Sequence, residues 1–269
     1  MSVNPDQANR PPKDRRGRVH AAAGRLLLAS LLWSAAGCSD NRLLIPDPAV
    51  RYLAFGDSST SGRAARSYPE ILAERLGQPA GAMANEGSDG ETAGAGLERL
   101  RQLLAARIYP NAEVLLYWEG GADLIDLIRE IDGLLLFSPL APSYPYTTRL
   151  AEALDRIQAD IEAAIAAGQA AGLTVYVATY FSFQEVAAAC DPMPLDVMLP
   201  AQAQNANGYV SLLNERIRQA AASGGAGVVD IASADDDLHA SAANFVNCNH
   251  LSEAGNEIVA QVFVDALEH

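Results

Sequence analysis

Short, almost continuously apolar runs alternate along the chain with longer stretches in which apolar positions recur every three or four residues. Val114–Trp118, Leu173–Phe181 and Gly227–Ile231 are of the first kind, the pattern of parallel strands covered by helices on both faces. Ala49–Phe55 reads as a further strand and runs straight into Gly56-Asp57-Ser58-Ser59. The clearest helix spans roughly Thr147 to Ala170, with Leu150, Leu154, Ile157, Ile161 and Ile165 on one stripe and Arg156, Asp160 and Glu162 elsewhere. A last helix, through Ile258, Val259, Val262, Phe263 and Leu267, follows His250.

Strands and helices that alternate in this way predict an α/β fold: a single doubly wound (flavodoxin-like) parallel sheet flanked by helices. No internal repeat or second domain is visible. Ahead of the first strand the pattern changes. Arg15, Arg16, Arg18 and Arg25 precede the short apolar run Leu26–Trp33, which ends in Ser34-Ala35-Ala36-Gly37-Cys38. A basic region, an apolar core and small residues together read as a secretory signal over residues 1–37. The run is too short to span a bilayer as a mature helix. Small residues directly before a cysteine resemble the bacterial lipoprotein box, which implies lipidation at Cys38 after cleavage, although Ala35 stands where that box more usually has leucine. The alternative is an ordinary signal peptide with a free Cys38. Residues 38–48, with Pro46 and Pro48, then form a tether, and residues 49–269 form the folded domain. The expected location is the cell envelope, lipid-anchored, in the periplasm or on the outer surface.

Composition narrows the partners. The whole chain carries 19 basic and 33 acidic residues. Loss of residues 1–37 takes away six basic and two acidic ones, which leaves 13 and 31 and a formal charge of −18. Such a surface repels polyanions, so nucleic acid is not an expected partner. It also disfavours anionic lipid, so membrane attachment would rest on acylation at Cys38. His20, His239, His250 and His269 are scattered and no His-Glu-x-x-His occurs, so neither a metal nor another cofactor is implied. Beyond Cys38 only Cys190 and Cys248 remain. In an exported protein they are either a disulfide, tying the loop after Phe181 to the turn that carries His250, or two small buried thiols.

Candidate chemistry sits at strand ends. Gly56 lets the backbone turn sharply, so Ser58 should face the crevice beyond the carboxyl end of the first strand, where ligands of open parallel sheets bind. His250, just before the last helix, could reach it. Each feature alone has a bland reading, a local turn for Gly-Asp-Ser and a cap for the histidine. Together with Asn85-Glu86-Gly87-Ser88-Asp89-Gly90-Glu91-Thr92 and Glu119-Gly120-Gly121-Ala122-Asp123-Leu124, however, they resemble the GDSL or SGNH ester hydrolase family from about Arg51 to the C-terminus. The resemblance implies Ser58 as nucleophile, His250 as general base and then acid, and the backbone N–H groups of Ser58 and Gly90 as the oxyanion hole. It also implies a small-molecule ester substrate, whether small, lipid-like or an acetylated glycan. No Gly-x-Ser-x-Gly elbow and no phosphate loop compete with it.

Two departures strike groups that this chemistry uses. Ala122 stands where the family has its side-chain oxyanion donor, and Asn247 stands where an Asp-x-x-His block places the carboxylate that orients the base. Losing one oxyanion donor costs about 10²–10³ in turnover, and an Asp-to-Asn change in a serine protease triad costs about 10⁴. Residues that act as a unit do not lose these amounts additively. Two readings follow: an exported serine ester hydrolase in which Asn247 orients His250 through its amide oxygen, or a catalytically degenerate lipoprotein of the same fold that binds an envelope glycan or lipid. Asp236-Asp237-Leu238-His239 also spells Asp-x-x-His, but it lacks the Gly-containing helix start after His250, and Asp235–Asp237 reads as a solvated loop. Two long segments, Leu134–Pro145 and Ser182–Gly208, are expected either to roof the crevice or to be ordinary surface excursions.

Overall fold

A computed structural model describes residues 45–129, 148–185, 188–190 and 197–268. The expected signal, Cys38 and residues 39–44 of the tether lie outside the described residues, as do the Leu134–Pro145 segment and Met193 and Leu195 of the second expected roof. In chain order the main elements are β1 (Tyr52–Gly56), α1 (Ser58–Ser61), α2 (Tyr68–Arg75), β2 (Met83–Gly87), α3 (Ala93–Ala106), β3 (Val114–Trp118), α4 (Gly121–Leu127), α5 (Thr148–Ala170) and β4 (Thr174–Ala178). There follow a short antiparallel pair, β5 (Ala188–Ala189) with β6 (Val197–Met198), then α6 (Pro200–Gly224), β7 (Gly227–Val229), α7 (Asp235–His239) and α8 (Glu253–Leu267).

The main sheet has the order β2-β1-β3-β4-β7 with every pair parallel. It is the doubly wound α/β sheet that the alternation predicts. From β1 the chain crosses to β2 on one side and then returns to lay β3 on the other. That reversal leaves a crevice at the carboxyl ends of β1 and β3, where Ser58 and the Gly120-Gly121 turn emerge.

β3 matches its apolar run, whereas β1, β4 and β7 are shorter than the runs read for them. Thr179 N–H still donates to Val229 O, but the N–H and C=O of Tyr180 are both taken by the Asn214 side chain of α6, so β4 leaves the ladder before Phe181. β7 stops at Val229 because Ile231–Ala234 turns into a 3₁₀ helix. β2 is an edge strand of half-buried residues, with Glu86 paired to Arg99 at 3.1 Å, and it lacks the apolar run of the central strands.

Alternation across β1 and β3 sorts the core. Phe55 and Tyr117, in register on adjacent strands, stack at 5.8 Å on the face where the Arg99 guanidinium of α3 lies 3.9 Å from the Phe55 ring. Trp118 points the other way and packs with Tyr68 of α2 and Phe263 of α8. α5 lies between α3 and α6, and its stripe Leu150, Leu154, Ile157, Ile161 and Ile165 is buried as predicted.

The turn after β1 is compressed against both neighbouring strands. A Cβ on Gly56 would lie 2.3 Å from Trp118 O, and one on Gly87 would lie 2.0 Å from Ser61 N. Both obstacles are backbone, so neither can swing aside. Gly87→Ala is therefore expected to destabilise the fold by on the order of 3 kcal/mol, measured as a lowered midpoint in urea denaturation.

Candidate active site

Ser58 is set by the turn that Asp57 caps. The Asp57 carboxylate is buried, accepts Ser59 N–H at 2.8 Å through Oδ1 and the Tyr180 hydroxyl at 2.7 Å through Oδ2, and also takes a backbone hydrogen bond from Ala122. The turn bearing Ser58 is thereby tied to the end of β4 and to the start of α4. Burial pushes the Asp57 carboxyl above its ordinary range in spite of these donors. The Tyr180 phenol is raised well above its own range by burial and by the charges of Asp57 and Glu119.

His250 arrives from the far end of the chain. Its Nε2 lies 3.1 Å from Ser58 Oγ and its Nδ1 lies 2.9 Å from Asn247 Oδ1. The same Asn247 oxygen also accepts the backbone N–H groups of Asn249 at 3.1 Å and His250 at 2.9 Å. Two backbone donors aimed at one amide atom require that atom to be the oxygen. Nδ1 must then carry a hydrogen, and Nε2 of the neutral imidazole presents its lone pair to the Ser58 hydroxyl. In an ordinary Asp-to-Asn replacement the amide NH₂ turns towards the ring and selects the wrong tautomer; here the backbone prevents that rotation. What Asn247 lacks is the negative charge that would stabilise an imidazolium.

The crevice over Ser58 and His250 is a cavity of about 230 Å³. Ala122, Leu124, Ile125, Phe181, Val210 and Leu213 form its apolar wall, while Arg63, Asp126 and Arg129 also line it. Ser58 and Gly90 border it too, Gly90 with φ +72°, a conformation that glycine adopts without strain. Among the described residues, neither the Ser58 nor the Gly90 N–H has a protein acceptor. Ala122 is buried at the start of α4 and contributes only a methyl group to the cavity.

The sequence-predicted residues do not all meet. Ser58, His250, Asn247, Gly90 and Ala122 gather around one crevice, and Cys190 and Cys248 form a disulfide just before Asn249. His239 is elsewhere: its Nε2 lies 2.9 Å from Ser182 Oγ and 3.2 Å from the Ser182 carbonyl. A carbonyl only accepts, so Nε2 carries the hydrogen in this arrangement and cannot serve Ser182 as a base. Asp235–Asp237, read as a solvated loop, is instead the first turn of α7, and Asp235 Oδ1 accepts Ser182 N–H at 3.0 Å rather than reaching His250. Among the described residues no group of three or more His, Cys, Asp or Glu side chains is arranged to hold a metal ion, and no helix is long and apolar enough to cross a membrane.

Sequence reasoning missed several supports: the Asp57–Tyr180 pair, Gln184, whose amide reaches Asn247 O at 2.8 Å, and the asparagines of α6 that grip the chain after β4. The available signal was polar residues, Asn207 and Asn214, two turns apart on a helix whose buried positions are mostly small and apolar. Glu119 was also missed. It is buried, and burial with the nearby charge of Asp57 raises its carboxyl well above the usual range.

Comparison with known proteins agrees with this fold. The model of the GDSL-like lipase/acylhydrolase family matches residues 54–258. Among solved structures, a lipolytic protein of the G-D-S-L family from Veillonella parvula is 15% identical with a TM-score of 0.56, over 82% of this chain and 99% of that one. The acetyl xylan esterase AlAXEase is 17% identical with a TM-score of 0.53, over 81% and 100%. The psychrotrophic esterase EstA from Pseudoalteromonas sp. is 15% identical with a TM-score of 0.52, over 82% and 97%. At these identities the structures establish a shared fold. No curated protein sequence gives a significant match.

Asp123, in the first turn of α4, accepts the Ala93 N–H that opens α3 at 2.8 Å, yet burial lifts its pKa from 3.8 to about 6. Between those values the folded protein holds a proton that the unfolded chain has released, so stability falls as pH rises through the window. Asp123→Asn keeps the acceptor and removes the titration. Denaturation midpoints measured from pH 4 to 7 are expected to fall less steeply in the variant than in the wild type.

Proposed function

The chain belongs to the GDSL-like lipase/acylhydrolase family, and on that premise we propose that it is a serine ester hydrolase. The observation that carries the reading is the hydrogen-bonded chain from Ser58 Oγ through His250 to Asn247 Oδ1. In this mechanism Ser58 Oγ attacks the ester carbonyl while its proton passes to His250 Nε2. The tetrahedral oxyanion takes hydrogen bonds from the Ser58 and Gly90 N–H groups. His250 then returns the proton to the departing alcohol, and an attacking water repeats the sequence to release the acid and restore Ser58.

The apolar wall from Ala122 to Leu213 supports an acyl chain as the buried part of the substrate. The similar proteins named above include lipolytic and acetyl xylan esterase types, so small esters, lipid esters and acetylated glycans are all substrates to assay. We further propose that the protein is exported and lipid-anchored at Cys38. The basic and apolar N-terminal pattern supports this, and the Cys190–Cys248 disulfide suits an oxidising destination.

The alternative, a binding protein that has lost catalysis, draws on Ala122 and on the missing charge at Asn247. Kinetics separate the two. Purified wild type is expected to hydrolyse p-nitrophenyl esters, and Ser58→Ala should abolish that activity; undiminished turnover in Ser58→Ala would refute the assignment. Asn247→Asp should raise kcat by about tenfold or more and move the acid limb of the kcat/KM profile to higher pH, because an anion beside Nδ1 favours the imidazolium. Ala122→Asn is expected to add to that gain. Wild-type activity at background, restored in Ala122→Asn/Asn247→Asp, would instead favour the binding protein.

A further inference from the structure

Resting on the esterase reading, we infer that Gln184 is a positioning residue for the base: it holds the turn that carries Asn247 and His250 and acts through them. Gln184 is 6% exposed in the segment after β4. Its side-chain amide donates to Asn247 O at 2.8 Å, and its backbone N–H donates to Cys248 O at 3.3 Å. One residue thus takes two successive carbonyls of the turn before His250.

Gln184 is itself held rigidly. Immediately before it, Phe183 donates its N–H to Asn207 Oδ1 at 2.7 Å and accepts Asn207 Nδ2 at 3.1 Å. Tyr180 is gripped in the same way by Asn214, at 2.7 Å for both bonds. The two asparagines are seven residues apart, two turns of α6, and so lie on one face. They continue the hydrogen bonding of the sheet after β4 has left it. A line of amide hydrogen bonds therefore runs from α6 through residues 180–184 to Asn247, and the Cys190–Cys248 disulfide ties the same turn a second time.

This support matters more here than beside a carboxylate. Attraction between a carboxylate and an imidazolium falls only gradually with distance. A neutral amide oxygen holds Nδ1–H by a hydrogen bond alone, which weakens steeply once its geometry is lost. With Asn247 as an orienting residue, alignment depends on the backbone that carries it. Among the described residues, Gln184 fixes that backbone by hydrogen bonds from outside the turn, beside the disulfide.

The test is a double-mutant cycle of Gln184→Ala with Asn247→Asp, with the nearly isosteric Gln184→Glu as a second probe that removes the amide donor while keeping bulk. In the wild-type background Gln184→Ala is expected to lower kcat about tenfold with KM changed less than about twofold, the size of one hydrogen bond's net worth. In the Asn247→Asp background, where charge attraction tolerates misalignment, the loss should shrink to about twofold or less. ¹⁵N NMR of the histidine ring supplies a readout independent of turnover: a single Nδ1–H tautomer for His250 in the wild type, and a mixed or exchange-broadened signal in both Gln184 variants. An equal loss in both backgrounds, or an unchanged His250 signal in folded Gln184→Ala and Gln184→Glu, would overturn the proposal. Should the wild type hydrolyse no ester, the esterase reading fails, and the NMR comparison still decides whether Gln184 positions the ring.

Discussion

Parallel pairing of β1 with both β2 and β3 is the constraint on which the site depends. A strand flanked on both sides by strands that follow it in sequence forces the chain to reverse its winding, and the reversal opens the crevice. Ser58, Gly90 and Ala122 reach it from segments that follow the carboxyl ends of these three strands. The turn after β1 enters a space so narrow that backbone atoms of β3 and α1 stand where side chains on Gly56 and Gly87 would go. Asp57 then locks the turn from beneath by spreading its buried carboxylate over donors from α1, β4's end and α4. Ser58 Oγ so placed lies 3.1 Å from His250 Nε2.

Across the crevice a different kind of constraint operates. His250 meets an amide, and an amide has two ends that a histidine could face. Two backbone N–H groups of the Asn247–His250 turn choose the oxygen end, and that choice sets the tautomer of a ring whose far nitrogen touches Ser58. The tautomer therefore depends on the local turn, and the turn depends on hydrogen bonds and a disulfide reaching it from the segment after β4. Hydrogen bonding thus supplies the orientation that a charged partner would otherwise reinforce. The Asn247 side chain is neutral, and Ala122 adds only a methyl group to the crevice wall.

Much of the fold was legible from the chain because burial on both faces imposes an apolar run, and β3 was read to the residue. β2 was less legible: an edge strand need not be apolar throughout, and Asn85 and Glu86 spend their polarity on turns and on Arg99. The ends of β4 and β7 were overestimated for a related reason. Apolar composition reports burial, and it says nothing about which partner takes the backbone hydrogen bonds. Tyr180 and Phe181 are buried, but the Tyr180 backbone pairs with a helix side chain and no longer belongs to the ladder. The acidic run beginning at Asp235 looked like solvated loop and forms a short helix, since three carboxylates in a first turn favour the helix N-terminus.

By itself the sequence determined the alternation of strand and helix, the glycine that permits the turn before Ser58, and the residue types available to attack, accept a proton and bind an oxyanion. These follow from local rules, namely periodicity, conformational freedom and chemical identity. Which histidine meets Ser58, which end of the Asn247 amide faces it, and which buried glutamine and asparagines hold that turn were decided only by tertiary structure. Those outcomes depend on contacts between segments as much as 192 residues apart, and no local pattern encodes the direction from which a distant backbone donor will arrive.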